Sequence, residues 1–404
     1  MAASTYTLTA QPRIESLDVL RGVAVLGIFF LNIYAFAVPE MWFYYPASVE
    51  HWSIWDQWVM WFTLTFGAEK FLTMLSVLFG GSVALFASRS IAYAELTQQH
   101  RRRMAVLATL GLLHAYGLWF GDILFHYALC GFIIWWLRDL HIRTQAILAA
   151  VLLSVPPLLS LLVVQSVPHW TPEQRVDFLL LVQANPAQVQ QEIAAYTSGW
   201  LQQWPQRSGQ AWESHTEVLL GYTLWRTLGL MLIGGMLVRL GWLNAAAVGR
   251  YRAVCLGALL AGTLLSGYGA ATSIWYASNT VTEHLLQPLL NYFGSLLMAI
   301  GYMWLVVIWG SRTPHQNLTR RVNSVGRLAL SVYLLQTLVA TTLFYGHGFA
   351  QFGQWPPVAL VAMVIVFTGL TLLGAAWWLN RFNQGPMEWL WRRCSYRAAY
   401  RTAK

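Results

Sequence analysis

Long apolar runs separated by short polar breaks dominate the chain. Ten of them, at roughly 17–38, 69–88, 104–120, 122–137, 145–164, 220–238, 253–273, 285–309, 328–346 and 357–380, come close to the length a helix needs to cross a bilayer. The aromatic stretch 52–68, WSIWDQWVMWFTLTFGA, carries Asp56 and ends at Gly67. It reads as an interfacial or re-entrant segment rather than an eleventh span. The one long polar stretch, 165–219, is rich in Gln, Trp and Pro and predicts two short helices that cap the bundle, with acceptor recognition as the sharper alternative. After the Gly385-Pro386 break, Met387, Leu390, Trp391 and Cys394 recur at i, i+3, i+4 and i+7, with Arg392, Arg393 and Arg397 off that stripe. Such a stripe predicts an amphipathic helix lying on the membrane surface. The expected fold is therefore an all-α polytopic membrane protein of about ten spans. It forms one integral-membrane domain over 1–404, divided into amino-terminal helices to 164, an outer loop over 165–219 and carboxy-terminal helices over 220–404.

Charge fixes the expected orientation. With the amino terminus inside, Arg13, Arg89, Arg101 to Arg103, Arg138, Arg143, Arg239, Arg250, Arg252, Arg312, Arg320, Arg321, Arg327 and the basic tail are all cytoplasmic; only Arg175 and Arg207 are outside. That asymmetry follows the positive-inside rule and places both termini inside. Counting 52–68 as a full span would turn every later basic loop outward. Ala35-Phe36-Ala37 resembles a signal-peptidase site, but the preceding run is too long for a signal peptide and carries Asp18 and Arg21 at its head, so it reads as a retained first helix. The 57% hydrophobic and 10% charged content excludes an ordinary soluble protein. The net charge of +9 lies in short loops, which points to anionic lipids and not to nucleic acid. Cys130, Cys255 and Cys394 make no metal-binding or redox spacing, so no metal site and no disulfide framework is expected.

Polar residues inside apolar runs are costly and mark candidate chemistry. The densest set lies in HAYGLWFGDILFHYALCG, where His114, a turn at Gly121-Asp122, and His126 come close together. In an antiparallel hairpin rising 1.5 Å per residue the two imidazoles reach similar depth, and Asp122 and His126 share a face. His114 is the candidate general base with Asp122 orienting it, while interhelical hydrogen bonding is the competing role. Lys70, beside Glu69, predicts either a snorkelling cation near the outer interface or a substrate-binding residue that pairs with the His/Asp cluster or holds an anionic group. Asp18 and Arg21, at i and i+3, suit a neutralising ion pair at the head of the first span. On the inner face Arg21, Arg89, Arg103 and Arg327 suit phosphate groups, such as those of an acyl-CoA donor; topology determination is the alternative for most of them. Arg327 opens a helix that also carries Ser331, Tyr333, Gln336 and Thr337, of which Tyr333 and Gln336 are candidate substrate contacts, as are Asp18 and Asn32 of the first span. No phosphate loop, dinucleotide fingerprint or hydrolase elbow is present.

Four motifs in order, LDVLRG with Asn32, EKFLTMLSVLFG, LGLLHAYGLWFGDIL, and VGRLALSVYLLQT with GPMEWLWRR, resemble the YeiB-like family of bacterial inner-membrane proteins, whose carboxy-terminal half is a domain of unknown function. The first helix is similar to that of membrane acyltransferases. The polysaccharide O-acetyltransferase type places a histidine fourteen residues after the aspartate, and here that position is Asn32. The lysosomal heparan-glucosaminide N-acetyltransferase type also has asparagine there and places its histidine after the first helix, where this chain has His51. The resemblance implies an acyltransferase of the cytoplasmic membrane that uses acyl-CoA as donor and an envelope glycan or lipid-linked acceptor. No bound cofactor is expected. A permease for a small organic solute and a non-catalytic membrane protein are the alternatives.

Overall fold

The computed structural model describes residues 15–49, 51–182, 185–242, 249–276 and 280–396; Arg13 and Arg397 lie outside them. Among the described residues the secondary structure is all helical. Seven helical runs are long and apolar enough to cross a membrane, or eight if one bent pair is counted as a span. The chain is therefore a multi-pass membrane protein. In order the helices are α1 (Glu15–Ala37), α2 (Glu40–Tyr44), α3 (Ile54–Phe66), α4 (Lys70–Ala87), α5 (Tyr93–Gly117), α6 (Leu124–Leu137), α7 (Ile142–Ser166), α8 (Pro172–Val182), α9 (Pro186–Thr197), α10 (Trp204–Glu213) and α11 (Leu224–Arg239). They continue with α12 (Arg252–Trp275), α13 (Val281–Arg312), α14 (Asn317–Arg327), α15 (Ala329–Phe344), α16 (Pro357–Leu379) and α17 (Pro386–Ser395).

Each expected span coincides with a helix, but those at 104–120 and 122–137 fall on α5 and α6. These two are not among the runs long and apolar enough to cross, so about ten becomes seven or eight. Three further stretches differ from or refine the expectation in shape. The stretch 52–68 is no separate span: α3 and α4 follow one another as a single apolar run, Ile54–Ala87, of 34 residues. The run is interrupted at 67–69, where Glu69 takes a left-handed φ of 63°, and α4 with its 18 residues is the part that matches the expected second span. The polar stretch expected over 165–219 contains three helices, not two, and its last part, from Trp204, runs through a π-helical stretch (Ser214–Thr223) into α11. The expected span 328–346 begins with a break. α14 and α15 meet at Leu328 with a bend of 84°, so Arg327 ends one helix just before the next begins.

Small residues set the closest contacts, as in membrane bundles generally. A Cβ on Gly80 of α4 would overlap the Met231 backbone of α11, and one on Gly234 would overlap the Val77 carbonyl in return. Gly22 of the LDVLRG motif lies against the Val322 carbonyl, and Gly326 against the Asp18 carbonyl, so α14 wedges directly onto the start of α1. The cap formed by α8–α10 is tied to the bundle through main-chain groups. Trp200 Nε1 donates to Gly117 O (2.9 Å), Gly346 N to Tyr196 O (2.8 Å), and the buried Arg207 donates through Nε to Tyr116 O (3.2 Å).

Two acidic groups meet in this cap. Glu40 N donates to Glu192 Oε2 (3.2 Å), and Gln210 Nε2 reaches Glu40 Oε2 (3.3 Å) and Glu192 Oε1 (3.5 Å). Burial pushes the Glu192 carboxyl up to about 7, and the neighbouring Glu40 charge adds to the shift against the Glu40 N–H and Gln210 hydrogen bonds. Glu40 is also raised, by burial and then by the charge of Glu213. A carboxyl whose pKa rises on folding holds its proton more tightly in the native state, so native stability falls as pH climbs from about 4.5 to about 7. The full effect of Glu192 is at most about 3 kcal/mol. Glu192→Gln is expected to flatten the decline of the thermal-unfolding midpoint between pH 5 and pH 8 in detergent; an unchanged slope would contradict this account.

Candidate functional site

The structure keeps His114 and Asp122 together and gives them a third partner. α5 ends at Gly117, residues 118–123 cross to the next helix, and Asp122 stands just before α6. One carboxylate oxygen, Oδ2, accepts from Phe125 N (2.7 Å) and caps the first turn of α6, where a negative charge also complements the helix dipole. The other, Oδ1, lies 2.9 Å from His114 Nδ1. The close approach of the two helices depends on Gly111, because a Cβ there would overlap Phe125 N and crowd Asp122 Oδ2. On the far side of the ring, His114 Nε2 lies 2.9 Å from Thr337 Oγ1 of α15. A carboxylate only accepts, so Nδ1 carries a proton, and in the neutral imidazole Nε2 is then the acceptor for the threonine hydroxyl. His114, Asp122 and Thr337 are all buried, and the Tyr333 ring packs 5.3 Å from the imidazole between centroids.

His126 does not join this set. Its Nε2 lies 3.2 Å from Ser214 O and its ring packs against His215, so the expected pairing with Asp122 on one face gives way to a contact with the π-helical stretch. Nor does Lys70, which is fully buried and donates to Leu64 O (2.9 Å) and to Asn291 Oδ1. It neither snorkels nor meets the His/Asp cluster. Its neighbour Glu69 instead forms an ion pair with the buried Arg226, which also donates to Tyr222, Thr73 Oγ1 (2.8 Å) and Ser295 Oγ (2.8 Å). His51 lies beside Trp42, away from both clusters.

A cavity of about 320 Å³ runs from the basic end of the bundle as far as Tyr333, whose ring packs on His114; His114, Asp122 and Thr337 themselves lie behind that wall and outside the lining. Arg21, Arg103, Arg327 and Arg392 stand around its polar part, and Ile123, Leu124, Tyr127 and Tyr333 line its apolar part. The size and the mixture of an apolar barrel with a few convergent charges suit a small-molecule pocket. Arg21 is held in place by Asp18 Oδ1 (3.0 Å) and donates to Ser82 Oγ (3.0 Å), so the ion pair expected from LDVLRG also presents a guanidinium to the cavity. Arg103 stacks between Phe86 and Trp391. Tyr333 Oη accepts from Ile123 N (3.3 Å). Arg89 is exposed over Phe86 and lies outside the cavity lining. Asn32, half-buried in α1, and Gln336, which donates to Val25 O (3.0 Å), lie outside that lining too.

Two contributors escape a reading of the sequence. Thr337 appears there as one polar residue among several on its helix. Glu388 sits in the amphipathic tail, yet its carboxylate accepts from Leu330 N (2.8 Å), Ser331 N (3.1 Å) and the Ser331 hydroxyl, capping α15 beside the cavity. α17 is thereby docked on the bundle, with Trp391 Nε1 donating to Arg103 O (3.0 Å). Cys394, expected on its apolar stripe, is exposed.

Comparison with known proteins follows the same outline. A family described as "Protein of unknown function (DUF418)" matches residues 237–398. "Uncharacterized protein YeiB" of Escherichia coli (strain K12) is 32% identical over 95% of this chain and 96% of its own. "Uncharacterized protein YxaH" of Bacillus subtilis (strain 168) is 27% identical over 98% and 97%. "Uncharacterized 39.9 kDa protein in amylase 3'region" of Bacillus acidopullulyticus is 21% identical over 95% and 94%. No solved structure matches. With so close a likeness running nearly end to end, the chain belongs to the YeiB-like family of membrane proteins.

Proposed function

We propose that the protein is a transmembrane acyltransferase of the bacterial cytoplasmic membrane. It takes a short acyl group from cytoplasmic acyl-CoA and delivers it to a glycan or lipid-linked acceptor on the envelope side. The observation that carries this reading is the cavity itself, which runs from four arginines to the tyrosine packed on His114. Guanidinium groups suit the phosphates of CoA by charge-assisted, often bidentate bonds, and the apolar stretch suits a pantetheine arm and thioester. His114, held in one tautomer by Asp122, supplies a base for acyl transfer. The basic loops gathered at the cavity's arginine end favour a cytoplasmic donor side.

Mass spectrometry of envelope glycans and lipids from cells with and without the gene tests this. Loss of one acyl group from a defined component is the expected result, and identical profiles would overturn it. One observation favours a second reading, a permease: the half-buried Glu69, its buried partner Arg226 and the buried Lys70 form a charge cluster inside the bundle, apart from the cavity. Solute uptake into proteoliposomes without acyl donor would support that reading.

A further inference from the structure

The hydrogen bonds around His114 say which group the base can activate. Nδ1 is held by Asp122, and Nε2, the accepting nitrogen, is occupied by the Thr337 hydroxyl. His114 is 2% and Thr337 1% exposed, so in this state a hydroxyl reaches Nε2 only by displacing Thr337, and a thioester in the cavity reaches Thr337 Oγ1 only when the wall at Tyr333 moves; the same opening admits the acceptor once Thr337 is esterified. The Thr337 hydroxyl has one other acceptor, Tyr333 O, at 3.5 Å, which is the weaker bond against 2.9 Å to the imidazole. Thr337 stands one helical turn beyond Tyr333, so about 6 Å of axial rise separates it from the residue that walls the cavity. A second feature points to a ligand: Trp119, packed edge-on to His114, is buried and its indole N–H has no hydrogen-bond partner among the described residues. Hydroxyl, imidazole and carboxylate in sequence are the arrangement that makes a weak alcohol a nucleophile.

Resting on the acyltransferase reading, we propose that Thr337 is the nucleophile and that the acyl group passes through an ester on its Oγ1. In the first half-reaction Oγ1 attacks the thioester carbonyl while His114 Nε2 takes the hydroxyl proton. The tetrahedral adduct collapses, the C–S bond breaks, and the CoA thiolate leaves with the proton from His114. In the second, the acceptor hydroxyl attacks the threonyl ester and gives its proton to His114. The C–O bond to Thr337 breaks, and the threonine oxygen recovers a proton from the imidazolium. No oxidant or further reactant is needed.

Full-length protein in lipid nanodiscs is mixed with acetyl-CoA alone, or with p-nitrophenyl acetate as a donor that needs no CoA site. Each sample is quenched in acid and examined by peptide mass spectrometry, and CoA thiol release is followed in parallel. The expected result is one acetyl group on the Thr337 peptide, removed by hydroxylamine and absent in Thr337→Val. Thr337→Val should lower thiol release at least about 100-fold, while Thr337→Ser stays within about 10-fold of the parent, a split that a merely structural hydroxyl would not produce. Thiol release without an adduct, undiminished in Thr337→Val, overturns the threonine and leaves the acyltransferase. An adduct from p-nitrophenyl acetate only, with no thiol release, keeps the nucleophile and overturns the CoA donor. No adduct and no thiol release overturns both. Because the adduct is read on the unmodified chain, a variant that fails to fold does not decide the outcome.

Discussion

Glu69→Gln is expected to be among the most destabilising single changes in the protein, costing about 3–5 kcal/mol and sharply lowering the thermal-unfolding midpoint in detergent. Arg226 is 5% exposed and cannot shed its proton, so without the Glu69 carboxylate a full charge stays buried among neutral groups, the hydroxyls of Tyr222, Thr73 and Ser295 and the ring faces of Tyr222 and Tyr292. Glu69 itself carries the left-handed φ of 63°, which costs a non-glycine residue about 1–2 kcal/mol and persists where the surroundings over-determine it. Glutamine keeps that backbone cost and loses the charge, so the substitution isolates the ion pair. A companion variant separates charge from shape. Glu69→Gln combined with Arg226→Met removes both ions and should recover at least half of the lost stability, since an apolar pair of similar volume often matches a buried ion pair. A Glu69→Gln protein that melts like the parent would show that water or another group neutralises Arg226.

Asp122→Asn should abolish acyl transfer while leaving the fold intact, with turnover falling about 10²–10⁴-fold. The asparagine carbonyl can still accept from Phe125 N, so the cap on α6 survives. Its amide then faces His114 Nδ1 as a donor and makes that nitrogen the acceptor. The proton moves to Nε2, which can no longer take the Thr337 proton. Thiol release from acetyl-CoA reads the loss, and an unchanged melting profile confirms that the loss is chemical. Full activity in a well-folded Asp122→Asn protein would remove the aspartate from the mechanism and, with it, the tautomer argument for Thr337.

Much of the fold is legible in the chain. Hydropathy marks the helices because lipid demands about 20 apolar residues and an internally bonded backbone for each crossing. The placement of α5 and α6 on either side of a six-residue crossing brings His114 and Asp122 into range, because residues eight apart across a tight connection have nowhere else to go. Asp18 and Arg21 pair for the same local reason. The 84° break before α15 is not visible in hydropathy, since α14 and α15 pass as apolar helix on composition together and only packing of Gly326 on Asp18 turns the chain.

By itself, then, the sequence determined an all-helical membrane protein, a basic end, and a histidine with an aspartate beside it. Only the tertiary structure decided that Lys70 belongs with Asn291, that Glu69 pairs with Arg226 across 157 positions, that Glu388 caps α15, and that Thr337, 223 positions from His114, completes the site. The physical reason is common to all four. A polar group in an apolar helix must find a partner, because leaving it unpaired costs several kcal/mol, on the order of a whole domain's margin of stability. Which partner it finds depends on how small residues such as Gly80, Gly111 and Gly234 let the helices approach, and that lies in packing rather than in periodicity.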